Sequence, residues 1–155
     1  MENTLSVAKA LFSMYVKMFD VQIDEMKMHK LMYFTQRESL IVNNDVLFSE
    51  DFYGWRYGPV LLSVRNEFQT ETFFRDVDDS VSETTKVLIK NVLGRFGNIS
   101  SWNLSIMSHE ELSWKLSRNG LEASDNGNVR LSISAMKLDA IREVCRRKME
   151  NTSFA

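Results

Sequence analysis

The sequence predicts a mainly α-helical α+β fold, with about six helices and one small β-hairpin or short antiparallel sheet. Three observations lead there. Apolar residues recur at three- and four-residue spacings through most of the chain, and helix-capping residues precede several of those stretches. The period shortens around residues 46–57, where aromatic side chains and glycines gather, and again at 129–133. With 155 residues, 44% of them hydrophobic, the chain is long enough for one compact core, so a single domain over residues 1–155 is expected.

Leu5, Ala8, Leu11, Phe12, Tyr15, Val16 and Phe19 describe one face of a first amphipathic helix. Asp24 caps a second, in which Met28, Leu31, Met32 and Thr35 share a face, Leu40 and Ile41 close the stripe, and Asn43, Asn44 and Asp45 stop it. Val46 to Phe48 and the run Phe52 to Tyr57 suit paired strands. Gly58 ends that stretch, and Pro59, the one proline, suits the first turn of a helix that turns Val60, Leu61, Val64 and Phe68 inward.

Residues 69–79 read as a loop holding Phe73 and Phe74. Ser80 and Glu83 have capping-box spacing ahead of a helix that carries Val87, Leu88, Val92, Leu93 and Phe96 and stops at Gly97. Ser108 and Glu111 repeat the spacing before a short helix through Leu112, Trp114, Lys115 and Leu116 that ends near Gly120. Residues 122–128 form an exposed loop, and Val129, Leu131 and Ile133 alternate as a brief strand. In the last helix Ser134 caps, Met136, Leu138, Ile141, Val144 and Cys145 form a buried stripe, and Arg142, Arg146, Arg147 and Lys148 face water.

The net charge of −2, from 19 basic and 21 acidic residues, gives no global attraction to nucleic acid or an anionic membrane. Cys145 is the single cysteine, which excludes an internal disulfide and a thiolate metal cluster and fits a reducing, cytoplasmic setting. The start of the sequence does not read as a secretion signal, and no apolar run reaches the roughly 20 residues of a membrane span. His29 and His109 are the two imidazoles. His29 suits a structural place on the second helix, and His109 beside Ser108 suits a helix start. His109, Glu110 and Glu111 with a remote Asp51 lack the spacing of a helical zinc site, and Gly54 and Gly58 lack the glycine density and lysine of a phosphate loop. No catalysis and no cofactor or metal are expected.

The segment Lys27 to Phe68 carries Lys27, Lys30, Leu31, Met32, Tyr33, Phe34 and Gln36, then Leu47 and Phe48, then Trp55, Arg56, Tyr57, Gly58 and Pro59. This order resembles the core signature of the Panacea domain, the SocA-like antitoxin family often found in prophages. Leu104, Ser105, Ser108, His109, Glu110 and Trp114 resemble a second family element, with Ser113 where that family commonly has proline. The resemblance implies a non-catalytic antitoxin that neutralises a toxin encoded beside it by direct contact, some relatives serving as adaptors that deliver the toxin to a protease.

Trp, Tyr and Arg are enriched at interface hot spots, so Trp55, Arg56, Tyr57, Gly58 and Pro59, with His109 and Trp114, are the candidate partner-binding residues. Strand alternation would put Tyr53, Trp55 and Tyr57 on one face, facing the core on the competing structural reading, and leave Arg56 outward. A different class of function is a phage or prophage regulator that touches nucleic acid through Arg142, Arg146, Arg147 and Lys148, although no helix-turn-helix or zinc-knuckle signature accompanies them. A third, a hydrolase built on His109 and Glu110, has the least support.

Overall fold

The structure, a computed structural model, describes residues 1–153. Its elements run α1 (Thr4–Phe19), α2 (Glu25–Asn43), β1 (Tyr53–Trp55), β2 (Gly58–Val60), α3 (Leu62–Phe68), α4 (Glu83–Phe96), α5 (Ser101–His109), α6 (Leu112–Ser117) and α7 (Ile133–Ser153). The fold is mainly α, as predicted, with seven helices among the described residues rather than six. None of these helices is long and apolar enough to cross a membrane.

Helix α2 organises everything else. Asp24 caps it by accepting the Lys27 N–H at 2.8 Å, and Asn44, in the left-handed region at φ 54°, ends it. Every residue from Lys27 to Leu40 is buried, because α1, α3, α4, α5, α7 and β2 all pack around it. A helix enclosed on all sides must satisfy its polar side chains internally. Gln36 does so by bonding the chain at 47–48: its Oε1 accepts the Leu47 N–H at 2.7 Å and its Nε2 donates to the Phe48 carbonyl at 2.9 Å. The strand expected at Val46–Phe48 is therefore reduced to one bridge between Glu2 and Phe48, the side chain having taken the place of a neighbouring strand.

Strands β1 and β2 pair antiparallel, Tyr53 with Val60, Gly54 with Pro59 and Trp55 with Gly58, so Arg56 and Tyr57 form the turn. Pro59 thus lies in a strand, not in the first turn of a helix, and α3 begins three residues later. The brief strand expected at 129–133 is a single bridge beside β1, where the Gly54 N–H reaches the Val129 carbonyl at 2.9 Å. In the 69–79 loop Phe73 and Phe74 pack against Phe12 and Phe68, while the Lys9 ammonium and the Glu67 carboxylate hold the backbone of Phe74.

Three caps differ from expectation. Ser82 caps α4, whereas Ser80 bonds Asp78. Ser132 caps α7 in place of Ser134. Ser108 is buried near the end of α5 and caps nothing. At the start of α6 the carboxylate of Asp139, from α7, accepts the N–H of Leu112 at 2.7 Å and of Ser113 at 2.9 Å. Replacing Asp139 with alanine leaves the part-buried Leu112 N–H, the buried Ser113 N–H and the Tyr33 hydroxyl without this partner and is expected to cost about 2–3 kcal/mol, read from chemical denaturation.

Helix α7 also turns differently from the predicted stripe. Met136 is buried and Val144 half-buried, but Leu138, Ile141 and Cys145 are exposed, and the inward face carries Ala135, Asp139, Ala140 and Glu143. The reason lies on α2, whose facing side presents Tyr33, Arg37 and Glu38. Tyr33 Oη lies 3.0 Å from Glu111 and 3.2 Å from Asp139, Arg37 Nη1 lies 2.7 Å from Glu111 and Nη2 3.4 Å from Glu143, and Arg147 binds Glu38 at 2.8 Å. Polar complementarity, not apolar periodicity, sets the rotation of α7.

Candidate functional site

The hairpin is held from outside its own ladder. Four of its carbonyls receive a side-chain donor: Arg118 Nη1 on Gly54 at 3.2 Å, Trp114 Nε1 on Trp55 at 2.8 Å, Ser105 Oγ on Tyr57 at 2.5 Å and Lys30 Nζ on Pro59 at 3.1 Å. A two-strand ribbon alone is marginally stable, and these donors from α2, α5, α6 and the residue after α6 fix it to the helical body. Gly58 sits at the tightest point. Its φ of 119° disfavours any other residue, and a β-carbon there would overlap Ser108 Oγ and come within 2.5 Å of Lys30 Cε.

The candidate residues consequently divide. Gly58 and Pro59 are buried in the clamp, and Trp114 and His109 are half-buried behind it, their rings stacked at 4.2 Å. Trp55 is half-buried. Arg56 and Tyr57 are both exposed, because alternation ends at the turn and Tyr57 does not follow Trp55. The Tyr57 ring lies 6.1 Å from that of Trp102, which is 57% exposed on α5, and the Arg56 guanidinium lies over Tyr57 at 4.9 Å.

Beside the tip, between the start of α2, the hairpin and α3, lies a cleft of about 380 Å³ whose walls include His29, Lys30, Trp55, Arg56 and Arg65. His29 Nδ1 accepts the Leu61 N–H at 3.3 Å, which leaves Nε2 to donate to Glu25 at 3.1 Å; burial lowers its pKa, consistent with this neutral form. Burial also brings the Lys30 ammonium down to about 7. His109 is lowered by burial and then by the charges of Lys30 and Arg118.

A second cleft, of about 460 Å³, opens over the α2–α7 network, with Phe34, Arg37, Phe96, Glu111, Asp139 and Glu143 among its walls. Burial raises the pKa of Glu111. Burial acts in the same sense on Glu143, but the Arg146 hydrogen bond and the charges of Arg37, Arg146 and Arg147 outweigh it and hold that carboxyl at about 2. These contacts also define the basic cluster of α7. Arg142 donates to the Glu110 carbonyl, Arg146 pairs with Glu143 and Glu150, and Arg147 is half-buried against Glu38 and Glu143 rather than facing water. Among the described residues no group of His, Cys, Asp and Glu is arranged to hold a metal ion, and Asp51 pairs with Arg130 at 3.6 Å.

The model of the SocA-like antitoxin family, the Panacea domain, matches residues 28–115, more than half of the chain. The chain belongs to this family. No curated protein and no solved structure gives a significant match. The Panacea match runs from α2 into α6 and so spans the hairpin and three of its four clamping donors, Lys30, Ser105 and Trp114. Arg118 lies beyond it.

The sequence pattern singles out the hairpin and not its neighbour Trp102. Helix α5 buries Leu104, Ser105 and Ser108 while exposing Trp102 and Ile106. With serines inside and large apolar residues outside, its pattern hides both the helix and its surface.

Proposed function

We propose that this Panacea-domain protein is an antitoxin-type binding module, not an enzyme, that acts in the cytoplasm on a toxin protein encoded beside it and neutralises it by direct contact. Family membership carries the reading, and the geometry supports it: Arg56 and Tyr57 stand exposed on a rigidly clamped turn next to Trp102. Exposed aromatic and arginine side chains on a preorganised support suit a hot spot, because little conformational freedom is lost on binding. Within this reading Trp55, Arg56 and Tyr57 make contact, while Gly58, Pro59, His109 and Trp114 position them.

The double substitution Arg56→Ala, Tyr57→Ala is expected to weaken the toxin complex by about 2 kcal/mol or more, near thirty-fold, and to abolish growth rescue. Its melting temperature should stay that of the parent, since neither side chain is buried. Full rescue by the variant would move the contact elsewhere. Toxin levels during rescue separate sequestration, which preserves the toxin, from delivery to a protease, which depletes it. A nucleic-acid role for α7 would require three arginines now paired with carboxylates or a carbonyl, and predicts DNA retention that falls steeply with salt.

A further inference from the structure

We infer that the cleft between α2, the hairpin and α3 receives an acidic side chain, or a terminal carboxylate, of the toxin. This rests on the antitoxin reading and names the chemistry of its contact. The cleft walls contain three cations, Lys30, Arg56 and Arg65, against one carboxylate, Glu25, with His29 in its neutral form. The chain as a whole has a net charge of −2, so this local excess of positive charge runs against the global balance.

Glu25 is already engaged: it accepts both Arg65 Nη1, at 3.0 Å, and His29 Nε2, at 3.1 Å. Lys30 has no such partner. It is 1% exposed, and its ammonium bonds a neutral group, the Pro59 carbonyl. A buried ammonium without a bound carboxylate opposes folding, and its pKa of about 7 shows how far burial disfavours the charge. Glu25 and Asp24 act to raise that value, while the positive charges nearby, Arg56 on the hairpin and Arg65 on α3, offer no relief.

Methionine would fill the same space without the charge but would leave the Pro59 carbonyl without its side-chain donor, so in the free protein the cost of the buried charge is set against one of the hairpin's four clamps. An incoming carboxylate would supply the counter-charge. Trp55, with Arg65 at 5.8 Å over its ring, offers a flat apolar wall for the stem of a glutamate or for the residue next to it. Lys30 is too deep to touch a partner lying flat on the hairpin tip, so its substitution acts on binding through a group that enters the cleft or through the hairpin it clamps, and only the first involves its charge and so changes the salt dependence.

The test compares the wild-type chain with Lys30→Met in binding the product of the adjacent reading frame across a salt series, together with thermal unfolding at pH 6.5. The expected result is at least ten-fold weaker binding and a shallower salt dependence for Lys30→Met, with a melting temperature close to wild type because the relieved charge offsets the lost Pro59 hydrogen bond; weaker binding with an unchanged salt dependence assigns the loss to the clamp and overturns the inference. The sign of the charge effect follows from titration. With a folded pKa near 7 and an unfolded value near 10.5, the lysine's penalty is fully present below pH 7 and disappears as pH rises from 7 toward 10.5.

Binding within two-fold of wild type overturns the inference and leaves the antitoxin reading standing. If no adjacent product binds the wild-type chain, the antitoxin reading fails, and hexaglutamate titrated at low salt decides the cleft. A saturable change in tryptophan fluorescence, absent with hexaglutamine and lost in Lys30→Met, supports a carboxylate-binding cleft; no saturable change overturns it.

Discussion

Replacing Arg37 with methionine is expected to lower the unfolding free energy by about 3 kcal/mol at pH 7, because it removes the one buried cation against Glu111, leaving the exposed Arg142 at 3.6 Å, and one of the three arginines around Glu143. Arg37 Nη1 lies 2.7 Å from Glu111 and Nη2 3.4 Å from Glu143, and all three side chains are buried. The guanidinium also lies over the Phe34 ring at 4.7 Å and over the Phe96 ring of α4 at 5.8 Å, so the packing of α2 on α4 is disturbed as well. The deficit depends on pH. Glu143 has its folded pKa at about 2 against 4.5 for the free group, so its contribution to wild type is present above pH 4.5 and lost as pH falls toward 2. Glu111 runs the other way, since burial raises its pKa and its charge opposes folding above that range. Urea denaturation at pH 7 and pH 4 should show the gap between wild type and Arg37→Met narrowing in acid; a gap that widens there would contradict the assigned charges.

The second large effect belongs to Gly58. Its positive φ and the absence of room for a β-carbon combine, so Gly58→Ala is expected to cost about 2–4 kcal/mol and to release the hairpin from its clamp. Gly94, in the last turn of α4, is the control: nothing lies within 4 Å of its would-be β-carbon, so Gly94→Ala should stabilise by about 0.5 kcal/mol. Equal denaturation midpoints for the two variants would show that the strain at Gly58 is not real.

What could be read from the residues alone follows a physical division. Helices α1, α2 and α4 are legible from apolar periodicity, with Asp24 as a legible cap at α2 alone, and the hairpin from its cluster of aromatics and glycines where that period shortens. Helix α5 was not, because its buried face is Leu104, Ser105 and Ser108, and the serines bond a hairpin carbonyl and their own helix backbone. The face of α7 was misassigned for the same reason: Asp139 and Glu143 face inward to meet Tyr33 and Arg37, displacing Leu138 and Ile141 to the surface. Period analysis assumes that the inside is apolar, and here two interfaces are polar.

The candidate site shows the same division. Trp55 to Pro59 could be named as a unit, but their separation into a buried support and an exposed tip depends on donors some fifty residues away in sequence, such as Ser105 on the Tyr57 carbonyl and Trp114 on that of Trp55. No local pattern encodes which carbonyl a distant indole will reach. The two-residue turn at Arg56 and Tyr57, read from the pairing of Trp55 with Gly58, is what brings both outward.

The central claim is that this chain silences a neighbouring toxin by touching it. The most direct measurement is growth of cells expressing the adjacent reading frame, with and without this protein, coupled to co-purification of the two products. Neutralisation by contact predicts growth arrest that this protein relieves, a stable complex, and loss of both when Arg56 and Tyr57 are replaced. Relief of toxicity with no complex, or a neighbour that is not toxic, would contradict it.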